Sequence, residues 1–281
     1  MQKPKQKQFS LKFLALGFAI LATCGLGYVH FHADTLASAK LVSNTQHADA
    51  GLQQVISRWV ASQPSGASVM VRELDGQARY AGSNAGISMV TASTYKLYIA
   101  YAVLHDIEAN RFTMMTKLPG GQTVKDALKQ MITVSDNDAG KALGILVGWQ
   151  HADQLAAEVG ANHTDLDNYS ATGVVDEDKR TTASDLTDLL DELQAGKLLS
   201  PLHTQLVLNL MKKQVWRERV PAGVPDGVAV ADKPGWLPGT QNDAAIVYGP
   251  KSTYALVIMT NGDTAKPLAN LSERVYDYLE Q

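Results

Sequence analysis

Ser93-Thr94-Tyr95-Lys96 sets a hydroxyl and an amine three residues apart at the start of an apolar run that includes Leu97, Ile99, Ala100, Val103 and Leu104. On a helix such residues share a face, so the Lys96 amine reaches the Ser93 hydroxyl. A neutral, partly desolvated lysine can take the serine proton and turn the serine into a nucleophile for carbonyl carbon. The amides at a helix start also favour negative charge developing there. Taken alone, the same four residues read equally as an N-capping serine followed by a surface lysine.

Two later stretches change that balance. Ser135-Asp136-Asn137 follows Met131-Ile132-Thr133-Val134, just ahead of another helical pattern, and Lys233-Pro234-Gly235 ends the strand-like run Val228–Asp232. S-x-x-K, S-D-N and K-T-G form the motif set of class A β-lactamases and penicillin-binding proteins, and the order and contexts here agree: helix start, loop in the helical half and strand end, the third motif reading K-P-G. The chain resembles the class A β-lactamase-related serine hydrolases over nearly all of 49–281. The matches extend to Thr181-Thr182, Ala231-Asp232-Lys233 and Gly239-Thr240-Gln241-Asn242-Asp243.

The resemblance implies a role for each matched residue. Ser93 would attack the carbonyl and hold the acyl group, and Lys96 would accept or relay its proton. Ser135 would pass a proton to the leaving nitrogen, with Lys233 adding positive charge to the same network. Asn137 would hold a substrate amide, and Gly235 and Trp236 fall in the substrate-binding strand end. The backbone N–H groups of Ser93 and Trp236 would form the oxyanion hole, a feature worth about 3 kcal/mol of barrier per donor.

The sequence also departs from that pattern. Gly160–Arg180 contains no glutamate followed by x-x-Leu-Asn, the element that activates the deacylating water. Asp165, Asp167 and Glu177 are the weak substitutes; Asp165-Leu166-Asp167-Asn168 sits near the right place with a shorter side chain and the wrong spacing. Pro234 replaces a threonine hydroxyl and a backbone donor. Gln241 replaces an arginine that would pair with a substrate carboxylate, so recognition loses two contacts unless something replaces them. The stretch between Lys96 and Ser135 is short for an antibiotic-destroying member, and a wall of the cleft is expected to be missing. Trp236 offers a stacking surface in exchange.

The elements that must position these residues follow from periodicity. Leu52, Val55, Ile56, Trp59 and Val60 recur at three- and four-residue spacing and predict a helix over 50–63. Ala67–Arg72 and Gln77–Ala81 read as strands joined at Asp75-Gly76. From Ser93 to about Gly196 the pattern is helical, with breaks at 118–121 and 163–180. After 225–227 it returns to strands, at Val228–Ala231, Ala244–Tyr248 and Tyr254–Thr260, and a helix over Pro267–Leu279 closes the chain. The expected fold is α+β: an antiparallel sheet flanked by N- and C-terminal helices, with an inserted all-helical half and a cleft between the two.

Composition sets the outer bounds. The 281 residues are 45% hydrophobic with a net charge of −3, which excludes whole-chain disorder and argues against a nucleic-acid partner. That charge divides into +4 on residues 1–12 and −7 on 49–281. Lys3, Lys5, Lys7 and Lys12 precede the uncharged apolar run Phe13–Val29, a targeting pattern. Three fates are open to the run: an uncleaved single-pass anchor with its lysines in the cytoplasm, cleavage after Ala37-Ser38-Ala39, or lipid attachment at Cys24. All export the remainder, so the domains expected are a basic end (1–12), an anchor or signal segment (13–29), a linker (30–48) and a catalytic domain (49–281). Cys24 is the only cysteine, which rules out an intramolecular disulfide. His30, His32 and His47 lie in the linker, and His105, His151, His163 and His203 are scattered along the chain without a zinc-protease motif, so no metal or cofactor is implied. A monomer acting on a small β-lactam or peptidoglycan-derived substrate is expected. A D,D-peptidase or penicillin-binding protein is the alternative enzyme, and a binding or sensor domain with a weak site is the alternative of another class.

Overall fold

A computed structural model describes residues 45–167 and 179–281. The first helix, α1 (Ala50–Ala61), starts where Asp49 accepts a hydrogen bond from the Leu52 amide at 2.8 Å, and buries Leu52, Ile56 and Trp59. Then come β2 (Ala67–Asp75) and β3 (Arg79–Ser83), the 3₁₀ turn Ala92–Tyr95 and α2 (Lys96–Glu108). The helical half continues with α3 (Val124–Thr133), α4 (Asn137–Val147), α5 (Trp149–Glu158), α6 (Ala183–Gln194) and α7 (Pro201–Met211). Strands β6 (Ala229–Leu237), β7 (Thr240–Tyr248) and β8 (Thr253–Thr260) and helix α8 (Lys266–Leu279) close the chain.

Together with the short β1 (His47–Ala48), these strands make a sheet in the order β1-β3-β2-β8-β7-β6, antiparallel except for β1 on β3. A two-stranded ribbon, β4 (Met89–Val90) with β5 (Arg180–Thr181), lies just before the Ser93 turn. The expected α+β architecture is the one observed.

Both sheet faces are covered, which explains the unbroken apolar run of β8. Tyr254, Leu256 and Ile258 pack with Leu52, Ile56 and Trp59 of α1 and Leu268, Leu271 and Val275 of α8. Ala255, Val257 and Met259, on the other face, join the helical half. At the centre of that half α2 is buried almost all round, from Leu97 to Leu104, so the residues at its first turn sit on a rigid support.

Three elements differ from the sequence expectation. β6 runs six residues past Ala231, through Asp232, Lys233 and Pro234; the charged side chains are buried and paired within the site, and Pro234 is tolerated because β6 is an edge strand, with β7 as its only neighbour among the described residues. His47–Ala48, read as linker, pairs with Arg79–Tyr80 through backbone alone while its side chains stay exposed, so no hydrophobic pattern marked it. Helix α7 starts on Pro201, a favoured first-turn position, in a stretch left unassigned. No helix among the described residues is long and apolar enough to cross a membrane. The run 13–29 and Cys24 lie outside the described residues, as do Asn168 and Glu177.

Candidate active site

The turn that carries Ser93 is held from three directions. Within it, the Thr91 carbonyl accepts from the Thr94 amide at 3.2 Å and the Thr94 hydroxyl at 2.7 Å. From β7, the Asn242 side-chain amide donates to the carbonyls of Val90 at 2.8 Å and Thr91 at 3.0 Å, while its oxygen accepts from the Thr260 amide at 3.2 Å. From β6, Gly235 comes so near that a Cβ there would lie 2.8 Å from the Ser93 nitrogen and 2.9 Å from the Thr91 oxygen. Ala92, at φ +42°, is in the left-handed region, a strained backbone that this packing holds in place.

Lys96 is fully buried on the first turn of α2. Its Nζ lies 2.9 Å from Ser93 Oγ, 2.9 Å from the Ser135 carbonyl oxygen and 2.5 Å from Asn137 Oδ1. The last two neighbours can only accept. If unprotonated, the amine can give hydrogens to these oxygens and take the Ser93 proton on its lone pair, as a general base does. Helix α4 approaches this amine closely because position 140 is glycine: a Cβ there would be 2.8 Å from Lys96 Cε.

Ser135 and Asn137 are set by the turn between α3 and α4. Asp136 caps α4, accepting from the Ala139 amide at 2.7 Å, and Ser135 takes φ +61°, again left-handed for a residue with a side chain. The cap fixes the entry to the helix, so the Ser135 carbonyl faces Lys96 while its hydroxyl accepts from Lys233 Nζ at 2.8 Å. Lys233 also donates to the Pro234 carbonyl at 2.6 Å. Burial, and next the positive charge of Lys96, push the Lys233 pKa well below the ordinary lysine range. The four residues expected to carry chemistry, with Asn137, are therefore one hydrogen-bonded cluster.

Gly235 enters this site as a contact to the Ser93 turn. Trp236 is 37% exposed at the end of β6 and packs edge-on to Trp216, 42% exposed, with ring centroids 5.5 Å apart. Trp216 donates its indole N–H to the Val134 carbonyl at 3.2 Å, beside Ser135.

At Gln241, where the resemblance implies an arginine, a guanidinium arrives from elsewhere in the chain. The buried Arg219 donates to Gln241 Oε1 at 2.6 and 3.2 Å and lays its guanidinium 4.9 Å from the Trp236 ring centre. Arg217 pairs with the buried Asp232, and Asp243 accepts from the Val220 amide at 3.0 Å. Burial raises both carboxyl pKa values, that of Asp243 to about 6, against the opposing pull of the arginines and Lys233. Sequence reasoning missed Trp216, Arg217 and Arg219 because no motif spacing links 216–219 to the end of β6.

Asp165 and Asp167 are exposed. The Asp165 backbone pairs with Arg180, the Asp167 amide donates to Asp153 at 2.9 Å, and neither carboxylate is bonded to Ser93, Lys96 or Ser135 among the described residues. Thr181 joins Thr164, at 2.7 Å, in a buried cluster with Tyr98 and Asp185 that fastens the start of this loop to α6. The family's Thr-Thr position thus has a structural role here, with Thr182 capping α6 through the Asp185 amide at 3.0 Å.

Comparison with known proteins agrees with this geometry. No curated protein sequence matches the chain significantly. Among solved structures it resembles PBP-A, with 23% identity over 84% of this chain and 98% of the other and a TM-score of 0.78. It also resembles a β-lactamase from Xanthomonas campestris pv. campestris, with 19% identity over 82% and 98% and a TM-score of 0.75. The TLA-1 extended-spectrum β-lactamase has 21% identity over 82% and 99% and a TM-score of 0.74. These likenesses establish the fold. The model of the β-lactamase enzyme family matches residues 51–279, and the chain, a β-lactamase-like serine hydrolase, belongs to that family.

Proposed function

We propose that the chain forms an acyl-enzyme on Ser93 and hydrolyses β-lactam amides, outside the cytoplasm and tethered by its N-terminal segment. The observation that carries this reading is the pair of buried lysines, Lys96 on the Ser93 hydroxyl and Lys233 on the Ser135 hydroxyl. Ser93 Oγ bonds to the lactam carbonyl carbon as its proton passes to Lys96, and the negative oxygen settles against the Ser93 and Trp236 amides. The ring C–N bond then breaks. The nitrogen takes the Ser135 proton, and Lys233, when protonated, makes it good. Arg219 and Gln241 supply polar donors toward a substrate carboxylate, and Trp236 with Trp216 supplies an aromatic rim.

A second reading, a D,D-peptidase or penicillin-binding protein acting on stem peptides, is favoured by one observation. No carboxylate among the described residues is hydrogen-bonded to Ser93, and Asp165 and Asp167, the expected substitutes there, are exposed. PBP-A, one of the structural neighbours, is known as a mutant in an acyl-enzyme complex with penicillin G.

Time-resolved mass spectrometry of the full chain with penicillin G separates these. A transient adduct on Ser93 with steady turnover supports the hydrolase. A lasting adduct, with D-alanine released from stem peptides, supports the peptidase. Absence of any adduct in wild type, or an adduct that survives Ser93→Ala, overturns the acyl-enzyme reading.

A further inference from the structure

At the far end of α2, nine residues from Lys96 and so about 14 Å along the helix axis, His105 and Asp106 meet His151 of α5. The histidines are far apart in sequence, yet both converge on one oxygen of a carboxylate that is only 2% exposed. His105 Nδ1 lies 3.4 Å from Asp106 Oδ1 and His151 Nε2 lies 3.0 Å from it, with all three ligand atoms within 4.8 Å of one another. A tetrahedral zinc ion with bonds of about 2.0–2.1 Å needs ligand atoms about 3.3 Å apart. The two measured separations bracket that value.

The hydrogen bonding of this cluster calls for a cation. Arg111 Nη1 sits 2.7 Å from His151 Nε2 and 3.3 Å from Asp106 Oδ1. If Nε2 is unprotonated it accepts from Arg111 and then faces the Asp106 oxygen at 3.0 Å lone pair to lone pair. If it is protonated it satisfies Asp106 and confronts an arginine N–H at 2.7 Å. Either protonation state leaves one close contact of like kind. A dication between the three ligand atoms satisfies all of them and needs only that Arg111 swing away. Arg111 is 52% exposed, free on the solvent side to do so.

We propose that His105, Asp106 and His151 form a site for a divalent ion of the zinc class, which displaces the Arg111 guanidinium and clamps α2 to α5. Two imidazoles and one carboxylate suit zinc, cobalt, nickel or copper; magnesium and calcium prefer oxygen ligands throughout. With three protein ligands the fourth position is left to water. The site lies outside the Ser93 cluster, and its part is stabilising: Trp149, two residues before His151, packs edge-on to Tyr95 of the nucleophile turn with centroids 5.9 Å apart. Fixing α5 thus steadies the wall behind Ser93.

The test is binding of zinc chloride to the full chain, by equilibrium dialysis and by the shift in melting temperature, with magnesium chloride as control and the visible absorption of bound Co²⁺ as a second readout. Wild type is expected to bind zinc and melt higher with it, and magnesium to do neither. His105→Ala and His151→Ala are expected to weaken binding by more than about 100-fold, beyond what loss of a supporting contact alone would cost. Arg111→Ala, at an exposed position, removes the competing cation and is expected to tighten binding. His30→Ala with His32→Ala should change nothing at this site. Failure of wild type and Arg111→Ala to bind zinc overturns the proposal, and so does binding that persists in His105→Ala/His151→Ala. No readout depends on Ser93, so failure here leaves the acyl-enzyme reading intact.

Discussion

Adding one methyl group at Gly235 tests whether β6 and the Ser93 turn act as a single unit. The Cβ of Gly235→Ala would lie 2.8 Å from the Ser93 nitrogen, 2.9 Å from the Thr91 oxygen and 3.0 Å from the Thr94 nitrogen. All three are backbone atoms, and none can rotate out of the way. Ordinary contact begins at 3.4 Å, so the strand and the turn must part by about 0.6 Å. Misplacing a reacting group by 1 Å costs about 100-fold, which scales to about 15-fold here, or ~1.6 kcal/mol of barrier. The strain also costs about 1–3 kcal/mol of stability. The assay is the pseudo-first-order rate of labelling by a fluorescent penicillin, with melting temperature measured on the same sample. Gly86→Ala is the control, because a Cβ there meets nothing within 4 Å. Acylation within twofold of wild type, together with unchanged melting, would refute the claim that Gly235 places β6 against the nucleophile.

Two further outcomes follow from the charged groups behind the site. Arg219→Ala is expected to raise the half-saturating concentration of penicillin G by about 10- to 100-fold, from the loss of a charged hydrogen bond of about 1.5–3 kcal/mol. The penicillin methyl ester should be affected far less, and an equal loss for the ester would show that Arg219 does not read the carboxylate. Burial raises the Asp243 pKa from 3.8 to about 6, so the folded state holds that proton more tightly than the unfolded chain. Its stabilising contribution is full below pH 3.8 and is lost as pH rises through 6, and Asp232 acts in the same direction. The melting temperature of Asp243→Asn should therefore fall less than that of wild type between about pH 4 and pH 7; an equal or larger fall would count against a buried, proton-holding Asp243.

What could be read from the sequence was local. The spacing of Leu52, Ile56 and Trp59 predicts α1 because one apolar face meets one sheet face, and the run Tyr254–Thr260 predicts β8 because a strand covered on both sides has no polar alternation. Ser93 and Lys96 meet within one helical turn, and that contact is present at 2.9 Å. Pairings across the chain were not legible. Asp232 and Lys233 look like the end of a strand, since charged residues seldom lie in a core, yet Arg217 and Ser135 provide partners from other segments. Gln241 looks like a lost charge until Arg219, 22 residues earlier, is seen to share its amide oxygen. His105 and His151 look scattered because their meeting depends on how α5 packs against α2, which no spacing in the sequence records.

The burial of both lysines bears on the order of proton transfers in the proposed reaction. Lys96 and Lys233 each touch a serine hydroxyl, and the charge of Lys96, after burial, lowers the Lys233 pKa. Two ammonium groups in one dry site repel, so protonation of one weakens the hold of the other on its proton. When Lys96 takes the Ser93 proton it becomes that second charge. The repulsion makes Lys233 a stronger acid just as the departing nitrogen becomes a base, and Ser135, which accepts from Lys233 at 2.8 Å, lies on the route between them. The neighbouring carboxyls temper this effect: Asp232 and Asp243 pull the Lys233 pKa upward, against the larger downward push of burial and Lys96. Proton removal from Ser93 is thereby coupled to proton delivery through Ser135 by charge alone, without any motion of the backbone. The left-handed turns at Ala92 and Ser135 lie beside the two hydroxyls, each of which meets its own lysine.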